Sequence, residues 1–225
     1  MTHLIKKNLW FYIPYFIFFT FAGLILLLFK KTDIHLFING IHCTPADFLF
    51  KYLTNVGDGV AVALFILILL FFSYRSTIAL AFSTLFSTIV LLTLKEIIFK
   101  DVDRPLLAFT KLGQQLYLVP GVDVHTSYSF PSGHTISAFS VFLIFALLAK
   151  NNYLKLFFFI CAFSIGYSRI YLSQHFLIDV FCGSLIGVFF SSISFLWLSN
   201  WKNNKLDLSL LYTLGIIKND KQPKN

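Results

Sequence analysis

The distribution of apolar residues limits this chain's folding options more than anything else in it. Six largely apolar stretches run Leu9–Phe29, Val60–Tyr74, Thr77–Leu94, Ile136–Ala149, Tyr153–Tyr167 and Val180–Leu198. A bilayer-crossing helix needs about 17–25 such residues. The first, third and sixth stretches reach that length. The other three reach it only if polar flanks extend the helix into protein or headgroups. Of the 225 residues, 57% are hydrophobic and 12% charged, against about 25% charged in an ordinary soluble domain. One soluble core could not hide so much apolar surface, whereas lipid solvates the outward faces. The expectation is an all-α, polytopic membrane protein with six transmembrane helices in one bundle. It is read as a single membrane domain over 1–225, with a core of about 9–198 and a basic cytoplasmic tail of about 201–225.

Charge sets the expected orientation. With six spans, Lys6, Lys7, Arg75, Lys150, Lys155, Lys202, Lys205, Lys218, Lys221 and Lys224 share one side with only Asp207 and Asp220. The other side carries eight cations and eight anions, so the whole net charge of +8 lies on the first. Basic loops mark the cytoplasmic side, which places both termini inside. The basic balance therefore concerns topology and not nucleic acid, which would require a basic patch on a soluble face. Leu9–Phe29 is too long for the apolar core of a cleaved signal peptide and no small-x-small site follows, so it reads as a retained anchor. Cys43, Cys161 and Cys182 form neither a disulfide framework nor a CxxC metal spacing.

Three polar clusters interrupt the apolar pattern: Lys95 to Pro105, Phe130 to Thr135, and Ser168 to Asp179. Ionisable groups near membrane depth are costly and usually functional. At the helical rise, Lys95 stands roughly 27 Å above Thr77, and Arg169 roughly 24 Å above Tyr153. His134 starts its helix at the same level. Segments distant in sequence thus deliver cations and imidazoles to one height.

These residue types suit a phosphate. Lys95, Arg104 and Arg169 offer three positive charges, and arginine forks match phosphate oxygens. Ser132 and Gly133 precede a helix N-terminus, where free N–H groups favour an anion and glycine permits close approach. His175 and Asp179, four apart, would share a helical face, and a carboxylate behind an imidazole fixes its tautomer. His134 has no acidic partner four residues away and is left as a proton donor. One anchored and one free imidazole suit a nucleophile and a general acid.

The clusters resemble the signature of the type 2 phosphatidic acid phosphatase superfamily, which includes vanadium haloperoxidases and bacterial lipid phosphatases. Its motifs are K-x6-RP, PSGH and SR-x5-H-x3-D. Pro131-Ser132-Gly133-His134 match the second motif. Ser168, Arg169, His175 and Asp179 match the third at the family spacing. The first motif departs from the pattern: eight residues separate Lys95 from Arg104, and Lys100 is followed by three. Lys95 is the better candidate because it closes a helix and the extra residues can bulge in the loop.

The resemblance implies that His175 attacks phosphorus to form a phosphohistidine, oriented by Asp179. His134 then protonates the leaving oxygen, while Lys95, Arg104, Ser132, Gly133 and Arg169 hold the phosphoryl oxygens. It implies no metal and no cofactor. With both termini inside, the order of spans puts Lys95, His134 and His175 outside, so the expectation is a bacterial inner-membrane protein with its site facing the periplasm or exterior and a lipid phosphate of the outer leaflet as partner. Candidate substrates are undecaprenyl pyrophosphate, lipid A phosphate, phosphatidylglycerol phosphate and phosphatidic acid.

Other residues take plainer readings. Glu96, Asp101, Asp103 and Lys111 solvate the loop, and His35, His42 and His125 are surface histidines. Gly183 and Gly187 form a GxxxG for helix packing. Trp10, Trp197 and Trp201 are interfacial anchors. Competing functions are a phosphoryl transferase of the same superfamily, a vanadate-dependent haloperoxidase, and a non-enzymatic transporter with a cationic vestibule. A transporter has no need of an imidazole backed by a carboxylate opposite a second imidazole.

Overall fold

In the computed structural model, which describes residues 1–216, the chain forms helices and turns with no strand among the described residues. The helices are α1 (Thr2–Lys7), α2 (Leu9–Leu28), α3 (Lys31–Asn39), α4 (Thr44–Leu53), α5 (Gly59–Leu70), α6 (Tyr74–Leu92), α7 (Pro105–Lys111), α8 (Gly133–Leu148), α9 (Asn152–Tyr171), α10 (Leu177–Ser199) and α11 (Leu210–Thr213). Four helices are long and apolar enough to cross a membrane: Leu9–Leu28, Tyr74–Ile98, Asn152–Tyr171 and Leu177–Ser199. A pair, Thr44–Gly57 and Gly59–Leu70, bent by 60° at the Asp58 break, reaches that length and apolarity when its two helices count as one span. α8 is the sixth apolar helix and the shortest, with 16 residues. Most of its residues are buried, so protein rather than lipid surrounds its length, and only its last residue, Leu148, is exposed.

Between the first two apolar stretches, the segment from Lys30 to Gly59 forms two helices, α3 and α4. α3 buries only Ile34 and His35 and α4 has no fully buried residue, and each is too short to have stood out as an apolar stretch. The segment from Phe99 to Gly133 stays irregular, apart from α7.

Packing around α8 sets the site. Added Cβ atoms on Gly183 and Gly187 would lie 2.8 Å from the Ser132 carbonyl oxygen and 2.7 Å from that of Ile136. The GxxxG face of α10 therefore lets the start of α8 lie against its backbone. Hydroxyls tie α10 to α6, α8 and α2: Ser83 to Ser191 at 2.7 Å, Ser191 to the Ser140 carbonyl at 3.2 Å, and Tyr12 to Ser192 at 2.8 Å. Such contacts between spans each contribute about 0.6 kcal/mol.

The basic end of the bundle is tied together by its cations. Lys155 Nζ donates to the Lys7 carbonyl at 2.7 Å. Arg75 pairs with Asp207 at 2.6 Å and also donates to the carbonyls of Leu198, Trp201 and Asn203. Lys218, Asp220, Lys221 and Lys224 lie outside the described residues.

Candidate active site

At the opposite end, the turn between α9 and α10 carries the histidine of the third motif. His175 Nδ1 lies 3.3 Å from Asp179 Oδ2, and each residue is 1% exposed. The pairing arises differently from the expectation. His175 precedes α10, so the two do not share a helical face. Asp179 occupies the third position of α10, and its Oδ2 reaches back to accept the Phe176 amide at 2.9 Å, as a carboxylate does at a helix N-terminus. The Ser129 hydroxyl donates to the same oxygen at 2.5 Å. Burial is the largest influence on His175 and pushes its pKa below the ordinary range; Asp179 opposes that, and Arg104 and Arg169 add to it. The ring is thus neutral near pH 7. With its proton on Nδ1 facing Asp179, Nε2 keeps a lone pair.

The cations arrive from three elements. Arg104 caps α7 ahead of Pro105. Its Nε donates to the Ser127 carbonyl at 2.8 Å, and its Nη1 to Gln174 Oε1 at 3.1 Å. Burial lowers its pKa and Asp179 raises it, and a guanidinium remains cationic. Arg169, in the last turn of α9, donates through Nη1 to Thr54 Oγ1 at 2.5 Å. Its Nε is buried with no partner, and such an orphan donor is costly.

Lys95 lies in a π-turn, Thr93–Ile98, that continues α6. Its charge interacts with Arg104, Asp179 and Arg169, while Lys100 is exposed. The excess in the first motif is therefore absorbed partly within the helix end and not wholly in the loop. A π-turn accommodates an extra residue, and such turns are frequent at functional sites.

Ser132 is the N-cap of α8 and Gly133 its first residue. The Ser132 amide donates to the Asp179 carbonyl at 3.1 Å, and the Thr135 hydroxyl to Ser132 Oγ at 2.9 Å. The second and third motifs thus meet backbone to backbone. His134 and Arg169 line a cavity of about 320 Å³ with Thr54, Asn55 and Gln174, and Lys51, Asp123 and His125 also face it. His175, Asp179, Lys95, Arg104, Ser132 and Gly133 are not among the residues that line it.

Several contributors escaped the sequence reading. Ser129 and Gln174 sit close to or within motifs, but at positions no pattern specifies. Thr54 lies far away on the bent span, and only the fold brings it to Arg169. Gly57 packs directly beneath His134, where an added Cβ would be 2.9 Å from its carbonyl oxygen. Asp58, next in the chain, acts electrostatically on both His134 and Arg169. His134 thus has an acidic neighbour that i±4 spacing could not reveal. The surface reading holds for His125 but not for His35, which is 1% exposed. His42 is partly covered and pairs with Asp47 at 2.9 Å. Both sit on α3 or beside α4, whose inner faces pack on the protein.

Comparisons with known proteins agree with this architecture. The bacitracin transport permease protein BcrC of Bacillus licheniformis is 48% identical over 61 residues, covering 27% of this chain and 29% of that protein. The lipid A 4'-phosphatase of Bacteroides thetaiotaomicron is 26% identical over 165 residues, covering 70% and 72%. The crystal structure of Aquifex aeolicus LpxE matches with a TM-score of 0.64 at 27% identity, over 72% of this chain and 92% of that one. The transmembrane PAP2-type phosphatidylglycerolphosphate phosphatase of Bacillus subtilis matches at 0.62 and 22% identity, over 85% and 97%, a likeness of fold. The family model described as PAP2 superfamily matches residues 76–203, more than half the sequence and all three motif regions, so the chain belongs to the PAP2 superfamily.

Proposed function

We propose that this chain is a membrane lipid phosphatase that works through a phosphohistidine on His175. The observation that carries this reading is the buried His175–Asp179 pair, 3.3 Å apart, flanked by Arg104 and Arg169. The orphan Nε of Arg169 gives the same indication, since a phosphoryl oxygen would satisfy it. Family membership and the phosphatase relatives support the reaction class.

In this mechanism, His175 Nε2 attacks phosphorus and the bond to the lipid oxygen breaks. His134 gives that oxygen its proton. Water then attacks the phosphohistidine, His134 recovers a proton, and the N–P bond breaks to release phosphate. Asp179 holds the tautomer and stabilises the developing imidazolium. Lys95, Arg104, Arg169, the Ser132 hydroxyl and the Gly133 amide hold the phosphoryl oxygens, the Ser132 amide being engaged by the Asp179 carbonyl.

The positive-inside pattern supports an inner-membrane protein whose site faces outward and meets lipids of the outer leaflet. The name of one relative keeps lipid A phosphate as a substrate to be tried, beside the undecaprenyl pyrophosphate, phosphatidylglycerol phosphate and phosphatidic acid expected from the sequence. Purified protein should release free phosphate from at least one of these four lipids, which also separates hydrolysis from transfer to another acceptor. His175→Ala should abolish both turnover and acid-labile phosphate on the protein. Retained turnover in a folded His175→Ala protein would overturn the reading.

A further inference from the structure

We propose that His35 is a positioning residue for the catalytic turn, setting Ser173 and through it His175 and the Arg104 holder Gln174. The inference rests on the phosphatase reading. His35 Nε2 lies 3.2 Å from Ser173 Oγ. Its ring packs between Phe109 and Phe176, at centroid distances of 5.5 and 5.3 Å. Phe109 belongs to α7, the helix that Arg104 caps. Phe176 follows the nucleophile. The imidazole therefore stands where the arginine-bearing helix and the histidine-bearing turn meet.

Ser173 is the corner of that turn. It is fully buried and adopts φ of 55°, a left-handed conformation that non-glycine residues hold only when their surroundings impose it. Beyond the corner, the amides of Gln174 and His175 both donate to the Arg169 carbonyl, at 2.9 and 3.0 Å. Gln174 accepts from Arg104 at 3.1 Å, and His175 is the nucleophile. The orientation of one serine thus bears on both Gln174 and His175. Two groups grip its side chain, His35 and Asn39, whose Nδ2 lies 3.3 Å from Ser173 Oγ.

Packing alone does not account for an imidazole here. His35 Nδ1 is buried and has no partner, which is unfavourable. A phenyl ring would fill the same aromatic slot without that penalty. What the imidazole adds is the contact with Ser173.

The test compares His35→Phe and His35→Gln with the wild type on whichever lipid phosphate it hydrolyses. His35→Phe should melt at or above the wild-type temperature, yet lose about tenfold or more in kcat, the range expected for a slightly misplaced reacting group. KM should stay within about twofold, and the rate of phosphoenzyme formation should fall with kcat. His35→Gln, whose amide can reach Ser173, should recover most of that loss. Wild-type kcat in a folded His35→Phe protein would overturn the inference. So would a kcat loss matched by a fall in melting temperature and not relieved by Gln. An inactive wild type would overturn the phosphatase reading and this inference with it, whereas an active wild type with an equally active His35→Phe overturns this inference alone.

Discussion

Asp179 Oδ2 takes three contacts at once, from the Ser129 hydroxyl, the Phe176 amide and the His175 ring. Two of them hold the carboxylate, so the third is delivered at a fixed angle. Asp179→Asn keeps the size but removes the charge and allows the wrong tautomer of His175. It should cut kcat by up to about 10⁴-fold, the loss such a change causes in a serine-hydrolase triad, with the helical circular dichroism unchanged. A loss under about tenfold would show that the carboxylate does not set the tautomer. His35 yields a prediction about pH. Burial lowers its pKa from 6.5 to about 4. Between these values the unfolded chain binds a proton that the folded chain does not, so stability is present above the upper value and is lost as pH falls toward the lower. The full effect is on the order of 3 kcal/mol. Thermal melts in detergent should decline between about pH 6.5 and 4, and His35→Phe should flatten that decline. Equal slopes in both proteins would rule out a buried neutral His35.

Among the elements, α8 and α10 bring the second and third motifs together, and their closeness rests on Gly183 and Gly187. A side chain at Gly187 must displace the Ile136 carbonyl, only 2.7 Å from the added carbon, and a backbone carbonyl inside a helix has nowhere to go. Gly187→Leu should destabilise the protein by about 3 kcal/mol, the upper end of overpacking costs. It should also cut activity, because α8 carries Ser132 and His134. Gly59 is the control, since an added Cβ there meets nothing within 4 Å, and Gly59→Ala should be neutral within about 1 kcal/mol. Melting temperatures of the two variants decide the matter: similar values would remove the role given to the glycine face. The bent span contributes in the same way, because the break at Asp58 allows Thr54 to meet Arg169 while Gly57 lies under His134.

At the scale of the whole molecule, the two ends differ in charge and in chemistry. Lys7 with Lys155 and Arg75 with Asp207 define one end, and the three motifs define the other. The positive-inside tendency turns the motif end outward. A cysteine at Lys111, exposed in α7 near the site, should therefore react with a membrane-impermeant thiol reagent in intact spheroplasts. The exposed Cys43 must be replaced first. A cysteine at Asn151, exposed in the turn before α9 at the basic end, should react only after the membrane is broken. The reverse pattern would turn the chemistry inward and remove the outer-leaflet substrates.

The sequence by itself determined the all-α membrane class and the motifs, because apolar length and residue spacing are local properties. A stretch such as Leu9–Phe29 needs no partner to declare itself, and Ser168, Arg169, His175 and Asp179 carry their spacing along one short segment. Helix limits were legible to within a few residues for the same reason. Only the tertiary structure decided how these pieces meet. Asp179 reaches His175 by capping a helix and not along one, since the chain turns at Ser173 before α10 begins. Thr54 finds Arg169, and Asp58 comes near His134, only because a span bends. His35 becomes buried only because α3 lies over the turn between α9 and α10. Each of these contacts joins residues whose separation or backbone geometry leaves no trace in local periodicity, and packing of whole helices is what brings them into range.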